Sequence, residues 1–111
     1  SGEGVAIFQV IDNQPVPVLR DLADRVVNAL GDCAVVLGSS KDEKGHAIAK
    51  VSASVLPSIT AKELIDELTA ITGGGGGGRE NMAQAGGIGA KKLDDGMAHI
   101  TQKYAQTSTG D

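Results

Sequence analysis

Aromatic residues are nearly absent from this chain, since Phe8 and Tyr104 are the only two and there is no tryptophan. A core must therefore be built from valine, isoleucine, leucine and alanine. Many proteins bind single-stranded nucleic acid by stacking its bases on aromatic rings, and this chain has too few aromatic residues to bind in that way. The single cysteine, Cys33, excludes an internal disulfide and a cysteine-based zinc cluster.

Long apolar runs are also missing. No stretch approaches the about 20 apolar residues of a membrane-spanning helix, and the start of the chain does not resemble a secretory signal. We therefore expect no membrane association and a cytoplasmic or organellar location. The net charge of −4 and a pI near 5.0 argue against unselective binding to nucleic acid, although a local basic site stays compatible with them.

The chain of 111 residues with 41% apolar composition predicts one domain, residues 1–111, with a modest core. Its most unusual stretch is a run of six glycines, Gly73–Gly78. Ordering such a run costs about 0.5–1 kcal/mol per residue relative to alanine. Either the run is a mobile linker, or it is ordered because a partner must approach the main chain closely. Since too little chain follows for a second core, we expect a glycine loop within the domain at residues 73–78.

The known phosphate-binding loops fit this run poorly. A P-loop needs lysine followed by serine or threonine after its last glycine, whereas Arg79 and Glu80 stand there. A dinucleotide-binding glycine motif follows a strand, whereas the segment before Gly73 has the period of a helix.

Hydrophobic periodicity predicts alternating strands and helices. The expected strands are 5–11, 33–38, 47–55 and a short 82–85; the expected helices are 17–30, 61–72 and 89–105. Thr60 and Glu63 have the spacing of a capping box at the start of the second helix. This order predicts an α/β fold: a single small sandwich with a mixed sheet of about four to five strands, three helices, and the glycine loop before the last short strand and helix.

Two further expectations concern individual elements. The strand 5–11 is apolar except for Gln9, which predicts that both of its faces are covered. The polar side of the first helix carries Arg20, Asp21, Asp24 and Arg25, which predicts a solvated face with local ion pairs.

A basic site is expected around the glycines. Between Thr72 and Lys92 the charged residues are Arg79, Lys91 and Lys92 against Glu80 alone. Lys91 and Lys92 should lie in the first turn of the last helix, where free N–H groups also favour a phosphate. These residues predict contact with phosphate.

The glycine run with Arg79, followed by Met82-Ala83-Gln84-Ala85-Gly86-Gly87, closely resembles the signature of the C-terminal domain of bacterial-type alanyl-tRNA synthetase. This DHH-associated domain is shared with DHH phosphoesterases. The segment from Leu37 to Val51 and the last helix are also similar to that domain, so the resemblance covers essentially the whole chain.

The resemblance implies a non-catalytic module that contacts the outer corner, or elbow, of tRNA(Ala). It would couple the aminoacylation and editing domains of the same synthetase, and in some members it contributes to a homodimer. The full-length protein would be an alanine–tRNA ligase, with ATP, magnesium and zinc expected only in other domains. We expect no catalytic residue, metal or cofactor here. The expected tRNA- or phosphate-binding residues are Gly75, Gly76, Gly77, Gly78, Arg79, Gln84, Gly86, Gly87, Lys91 and Lys92.

Two other functions stay open at this point. One is a nucleotide- or phosphate-binding accessory domain of a DHH-type phosphoesterase, although such relatives tend to have a histidine where this chain has Arg79. The other is a structural interaction module in which the glycines are only a mobile cover.

Overall fold

The computed structural model describes residues 5–56 and 58–109, with side chains of the last helix described as far as Tyr104. A short 3₁₀ helix, Ala53–Val55, follows the third strand. The other elements, in chain order, are β1 (Val5–Val10), α1 (Val16–Leu30), β2 (Cys33–Lys41), β3 (Lys44–Val51), α2 (Ala61–Thr72), β4 (Gly75–Gly78), β5 (Met82–Gly89) and α3 (Ala90–Thr109). The predicted α/β class, with three helices and a mixed sheet, is confirmed.

The five strands form one sheet in the order β1-β2-β3-β5-β4. β1 is parallel to β2, and the remaining neighbours are antiparallel. α1 packs on β2 and β3 on one face, while α2 and α3 cover the other face. Successive residues of β2 contribute to the cores on opposite faces of the sheet, since Val35 packs under α1 and Val36 packs under α2 and α3.

The larger core lies between the sheet and the pair α2 and α3. Aliphatic residues at helical spacing dominate it, as the periodicity predicted. The buried residues of that stripe are Leu64, Ile65 and Leu68 on α2, and Leu93, Met97, Ile100 and Tyr104 on α3. A smaller cluster under α1 includes Leu19, Ala23 and Ile48.

β1 is an edge strand and none of its residues is fully buried, so the expectation that both of its faces are covered is wrong. Val5 is 51% exposed and Val10 is 40% exposed. A continuous apolar run is compatible with a buried strand, but it does not indicate the position of that strand within the sheet.

The predicted loop at residues 73–78 is also wrong for four of its six glycines, because Gly75–Gly78 form strand β4 at the opposite edge of the sheet. α2 packs directly on this strand. A Cβ atom built on Gly76 would lie 2.8 Å from Cγ2 of Ile65, so the close approach of helix and strand requires glycine. The strand after the run is longer than predicted, extending from Met82 to Gly89.

Candidate functional site

The turn between β4 and β5 is held by main-chain hydrogen bonds on three sides. The Arg79 N–H donates to the Met82 carbonyl at 2.8 Å and closes the turn. The Glu80 carbonyl accepts from the N–H of Ala61 at 2.6 Å, at the start of α2. The Asn81 carbonyl accepts from the N–H of Val51 at 3.0 Å, at the end of β3. The backbone that carries Arg79 is therefore fixed to two neighbouring elements.

Beside this turn lies a depression of about 410 Å³, which we call the β4–β5 groove. Main-chain atoms of the two strands and a few polar side chains surround it. Its lining residues are Lys50, Gly77, Gly78, Arg79, Asn81, Met82, Ala83 and Gln84. Two cationic side chains and two side-chain amides thus meet next to strand backbone.

The glycines next to the groove leave the sheet bare on the α1 side. A Cβ atom built on Gly75, Gly77 or Gly86 would meet nothing within 4 Å. Gly75 pairs with Gly86, and Gly77 pairs with Gln84. Since alternate residues of a strand point to opposite faces, Gly75 and Gly77 have open space on the α1 face while Gly76 faces Ile65 of α2. The main chain at these three glycines is therefore not covered by side chains of their own.

Gly87 has a different function, because it forms a bulge. The register between β3 and β5 shifts between Gly45 and Ala47, which places an extra residue on β5. Gly87 has φ +67°, the left-handed conformation that glycine adopts at this kind of bulge. The bulge lies beyond the groove, toward the end of β5 that enters α3.

α1 lies along the other side of the groove and contacts its residues. Arg20 donates from Nη2 to Oε1 of Gln84 at 2.8 Å, and Lys50 donates from Nζ to Oδ1 of Asp24. The expectation of purely local ion pairs on α1 is therefore wrong for these two residues of the helix. It holds for Asp21 and Arg25, which pair one turn apart at 2.9 Å.

Lys91 and Lys92 lie in the first turn of α3 as predicted, and both are exposed. The structure does not bring them to Arg79. β5 begins next to the Arg79 turn and ends where α3 starts, and its eight residues span about 23 Å at roughly 3.3 Å per residue. α3 also packs on the opposite face of the sheet from α1. The cations predicted to form one site thus form two separate groups.

The described part of the chain offers no cluster of metal ligands, and its one cysteine is buried. Among those residues, no group of three or more histidine, cysteine, aspartate or glutamate side chains could hold a metal ion. Burial, together with the nearby Asp32 carboxylate, raises the pKa of the Cys33 thiol above its ordinary value, so the reactive thiolate is disfavoured. None of the helices within residues 5–56 and 58–109 combines the length and the apolarity needed to cross a bilayer.

Sequence reasoning missed two polar residues of the groove, Lys50 and Asn81, and it also missed Arg20, which donates to the groove residue Gln84. Lys50 has a signal, because it stands on the wetter face of the alternating strand β3. Asn81 adjoins the glycine motif. Arg20 has no such signal, since its partner Gln84 is 64 positions away in the chain.

A sequence profile of the DHHA1 domain matches residues 2–106. The chain belongs to the DHHA1 domain family. It is 39% identical over 101 residues to an alanine–tRNA ligase of Natranaerobius thermophilus, covering 86% of this chain and 12% of that protein. It is 41% identical over 100 residues to an alanine–tRNA ligase of Sorangium cellulosum, covering 89% and 11%.

Comparison with solved structures gives the same family. The crystal structure of the C-Ala domain from Aquifex aeolicus alanyl-tRNA synthetase superposes with a TM-score of 0.77 at 29% identity, covering 86% of this chain and 87% of that one. The resemblance of this DHHA1 domain to the C-terminal domain of alanyl-tRNA synthetases is thereby confirmed. The domain spans about one eighth of the length of the ligases it matches.

Proposed function

We propose that this DHHA1 domain binds tRNA(Ala) without catalysing a reaction, as part of an alanyl-tRNA synthetase, and that the β4–β5 groove is the contact. The observation that supports this most directly is the position of Arg79. Its backbone is hydrogen-bonded to its own hairpin, and the turn that follows is bonded to β3 and α2. Its side chain lines a groove whose neighbouring strand surface is bare main chain.

The chemistry of the groove suits structured RNA. Double-helical and folded RNA is recognised largely through phosphates, 2′-hydroxyls and backbone shape. Arg79 supplies charge for phosphates, and Lys50 adds a cation that is already paired with Asp24. The Asn81 and Gln84 amides can donate to and accept from ribose hydroxyls. The shortage of aromatic residues and the net charge of −4 both favour a selective contact with RNA backbone over unselective binding.

In the full-length protein, we propose that the domain contacts the tRNA elbow and helps the aminoacylation and editing domains act on the same tRNA. The whole protein would then be an alanine–tRNA ligase of the cytoplasm or an organelle. ATP, magnesium and zinc would belong to its other domains, and this domain would need no cofactor. Dimerisation stays a prediction, measurable by sedimentation equilibrium.

Lys91 and Lys92 are proposed as a second, weaker contact. They lie at the other end of β5 from Arg79, about 23 Å away along the strand, and on the α3 side of the sheet. An RNA that touches both ends must wrap around the sheet edge. A small phosphate ligand would be too short to touch both.

The test is a titration of fluorescently labelled tRNA(Ala) transcript, with an acceptor-stem minihelix that lacks the elbow as a competitor RNA. We expect Arg79→Ala to weaken tRNA binding about tenfold and to reduce the salt dependence of log K by about one unit. Lys91→Ala with Lys92→Ala should weaken it less. The minihelix should bind more weakly than tRNA to the unaltered domain.

Three results of this titration would contradict parts of the proposal. Equal tRNA affinities of the Arg79→Ala variant and the unaltered domain would contradict the groove as the contact. Equal binding of tRNA and minihelix would contradict recognition of the elbow. Tighter binding of a mononucleotide than of tRNA would favour an accessory domain for phosphate ligands instead.

A further inference from the structure

The polar side of α1 faces the groove that we propose for RNA, and this inference rests on that proposal. We propose that α1 is a second wall of the interface: Arg20 contacts the RNA backbone, and Asp24 restrains Lys50 so that flexible polyanions bind less well than structured RNA.

Arg20 is already oriented toward the groove. Its Nη2 donates to Oε1 of Gln84 at 2.8 Å, and Gln84 lines the groove. A guanidinium group carries five N–H donors, so this single bond leaves donors for a phosphate. Because the bond restricts the long side chain before the ligand arrives, less conformational entropy is lost on binding.

Lys50 is held differently, by a charge of opposite sign. Its ammonium group pairs with the Asp24 carboxylate, and the two side chains are 28% and 45% exposed. Lys50 lines the groove, so the carboxylate lies beside a surface that we propose for phosphates. Asp24 thus cancels much of the attraction of Lys50 and repels any phosphate that comes close.

The two effects together favour a ligand of defined shape. The positive charge that attracts phosphates lies mainly on Arg20, on the α1 side, and on Arg79, in the β4–β5 turn. Asp24, near Lys50, repels them. A rigid RNA surface that reaches both arginines gains both contacts, whereas a flexible chain gains less and meets the same repulsion. Specificity often depends on such a repulsive element.

α1 itself supplies matched controls for an experiment. Arg25 and Asp21 lie on the same helix and pair with each other, with side chains 75% and 62% exposed. Arg20→Ala and Arg25→Ala therefore change the net charge equally, as do Asp24→Asn and Asp21→Asn. Differences within each pair report the position of the charge and not its amount.

The experiment measures binding of labelled tRNA(Ala) and of poly(U) by the domain and these four variants. We expect Arg20→Ala to weaken tRNA binding about fivefold, with a salt slope smaller by about one unit, and Arg25→Ala to stay within about twofold. Asp24→Asn should tighten poly(U) binding about fivefold and tRNA binding about twofold, consistent with one removed repulsion. Asp21→Asn should change neither by more than about twofold.

The outcomes separate this inference from the proposed function. If Arg79→Ala weakens tRNA binding while Arg20→Ala matches Arg25→Ala, Arg20 is not a contact and the second wall is wrong. If Asp24→Asn matches Asp21→Asn, Asp24 is not a selective element. If Arg79→Ala has no effect, the groove is not the interface, and this inference is overturned with the proposed function. Circular dichroism melting curves establish that each variant is folded, and Arg20→Gln replaces Arg20→Ala if the latter is not.

Discussion

Gly76 lies directly against Ile65, with only 2.8 Å between an added Cβ atom and the Cγ2 methyl group of that side chain. This contact joins β4 to α2 and explains why glycine stands at this position of the edge strand. The next residue, Gly77, has open space in the same position. Neighbouring glycines in one strand thus have different surroundings: Gly76 packs against α2, and Gly77 borders the groove that we propose for RNA.

The first prediction concerns these two glycines. Gly76→Ala should destabilise the domain by about 1–3 kcal/mol, because a methyl group must be forced between β4 and α2. Gly77→Ala should change the free energy of unfolding by less than about 1 kcal/mol but weaken tRNA binding, because its methyl group enters the groove. Urea denaturation and tRNA titration measure the two effects. Equal stability of the two variants would contradict the packing function of Gly76.

The second prediction concerns Gly96, a buried residue of α3. An added Cβ atom would lie 2.5 Å from Cγ2 of Thr72 and 2.8 Å from Cδ1 of Leu68. In a free helix Gly→Ala stabilises by about 1 kcal/mol, but here overpacking by about 1–3 kcal/mol should outweigh it. We expect Gly96→Ala to unfold at lower urea concentration.

Thr72→Ser supplies the matched test, because it removes the methyl group that collides and keeps the hydroxyl group that donates to the Gly73 carbonyl at 2.8 Å. The double variant Thr72→Ser with Gly96→Ala should recover much of the stability that Gly96→Ala loses. If the two substitutions were simply additive, the close contact would not be the cause.

The third prediction concerns the start of α2. Oγ1 of Thr60 accepts from the N–H of Glu63 at 3.0 Å, which is the bond that the capping-box spacing predicted. Thr60→Ala should cost about 1 kcal/mol of unfolding free energy, while Thr60→Ser should cost much less. Chemical denaturation compares them, and equal losses would show that the methyl group, not the hydroxyl group, matters.

The fourth prediction is a pH dependence at the contact between α2 and α3. The hydrogen bond from Lys103, at 2.7 Å, holds the pKa of the Glu67 carboxyl below its ordinary value of 4.5. The ionised Glu67 carboxylate therefore stabilises the fold fully above pH 4.5. This stabilisation is lost as the pH falls through the lower pKa that the carboxyl has in the folded state. Glu67→Gln should flatten the decrease of stability with acid, measured by thermal unfolding between about pH 5 and about pH 3.

Asp66→Asn is the control for the fourth prediction, since it removes the same charge from a neighbouring residue whose partner, Lys62, lies on the same helix. If the stability of Glu67→Gln fell with acid in the same way as that of the unaltered domain, Glu67 would not be the source of this pH dependence.

The elements with strong periodicity were predictable from the sequence. The stripe of Leu93, Met97 and Ile100 is buried as the 3.6-residue period requires, and Thr60 begins α2 as its chemistry requires. Strand position and register were not predictable, because they depend on pairing between distant segments. β1 therefore has exposed residues where covered faces were expected, and Gly75–Gly78 form a strand because α2 and β5 hold them.

The candidate site was predictable only in part for the same reason. Arg79 and Gln84 line the groove, as their place in the glycine motif indicated. Lys91 and Lys92 have the right local chemistry, but β5 carries them to its far end. The hydrogen bond from Arg20 to Gln84 depends on the packing of α1 against the sheet, which no local pattern reveals.

The Arg79 turn is anchored through the carbonyl groups of residues 80 and 81, atoms that every amino acid possesses. Mutations at these two positions can therefore accumulate without displacing the arginine that precedes them. The chemistry of this turn can thus change through two side chains while the placement of the arginine stays the same.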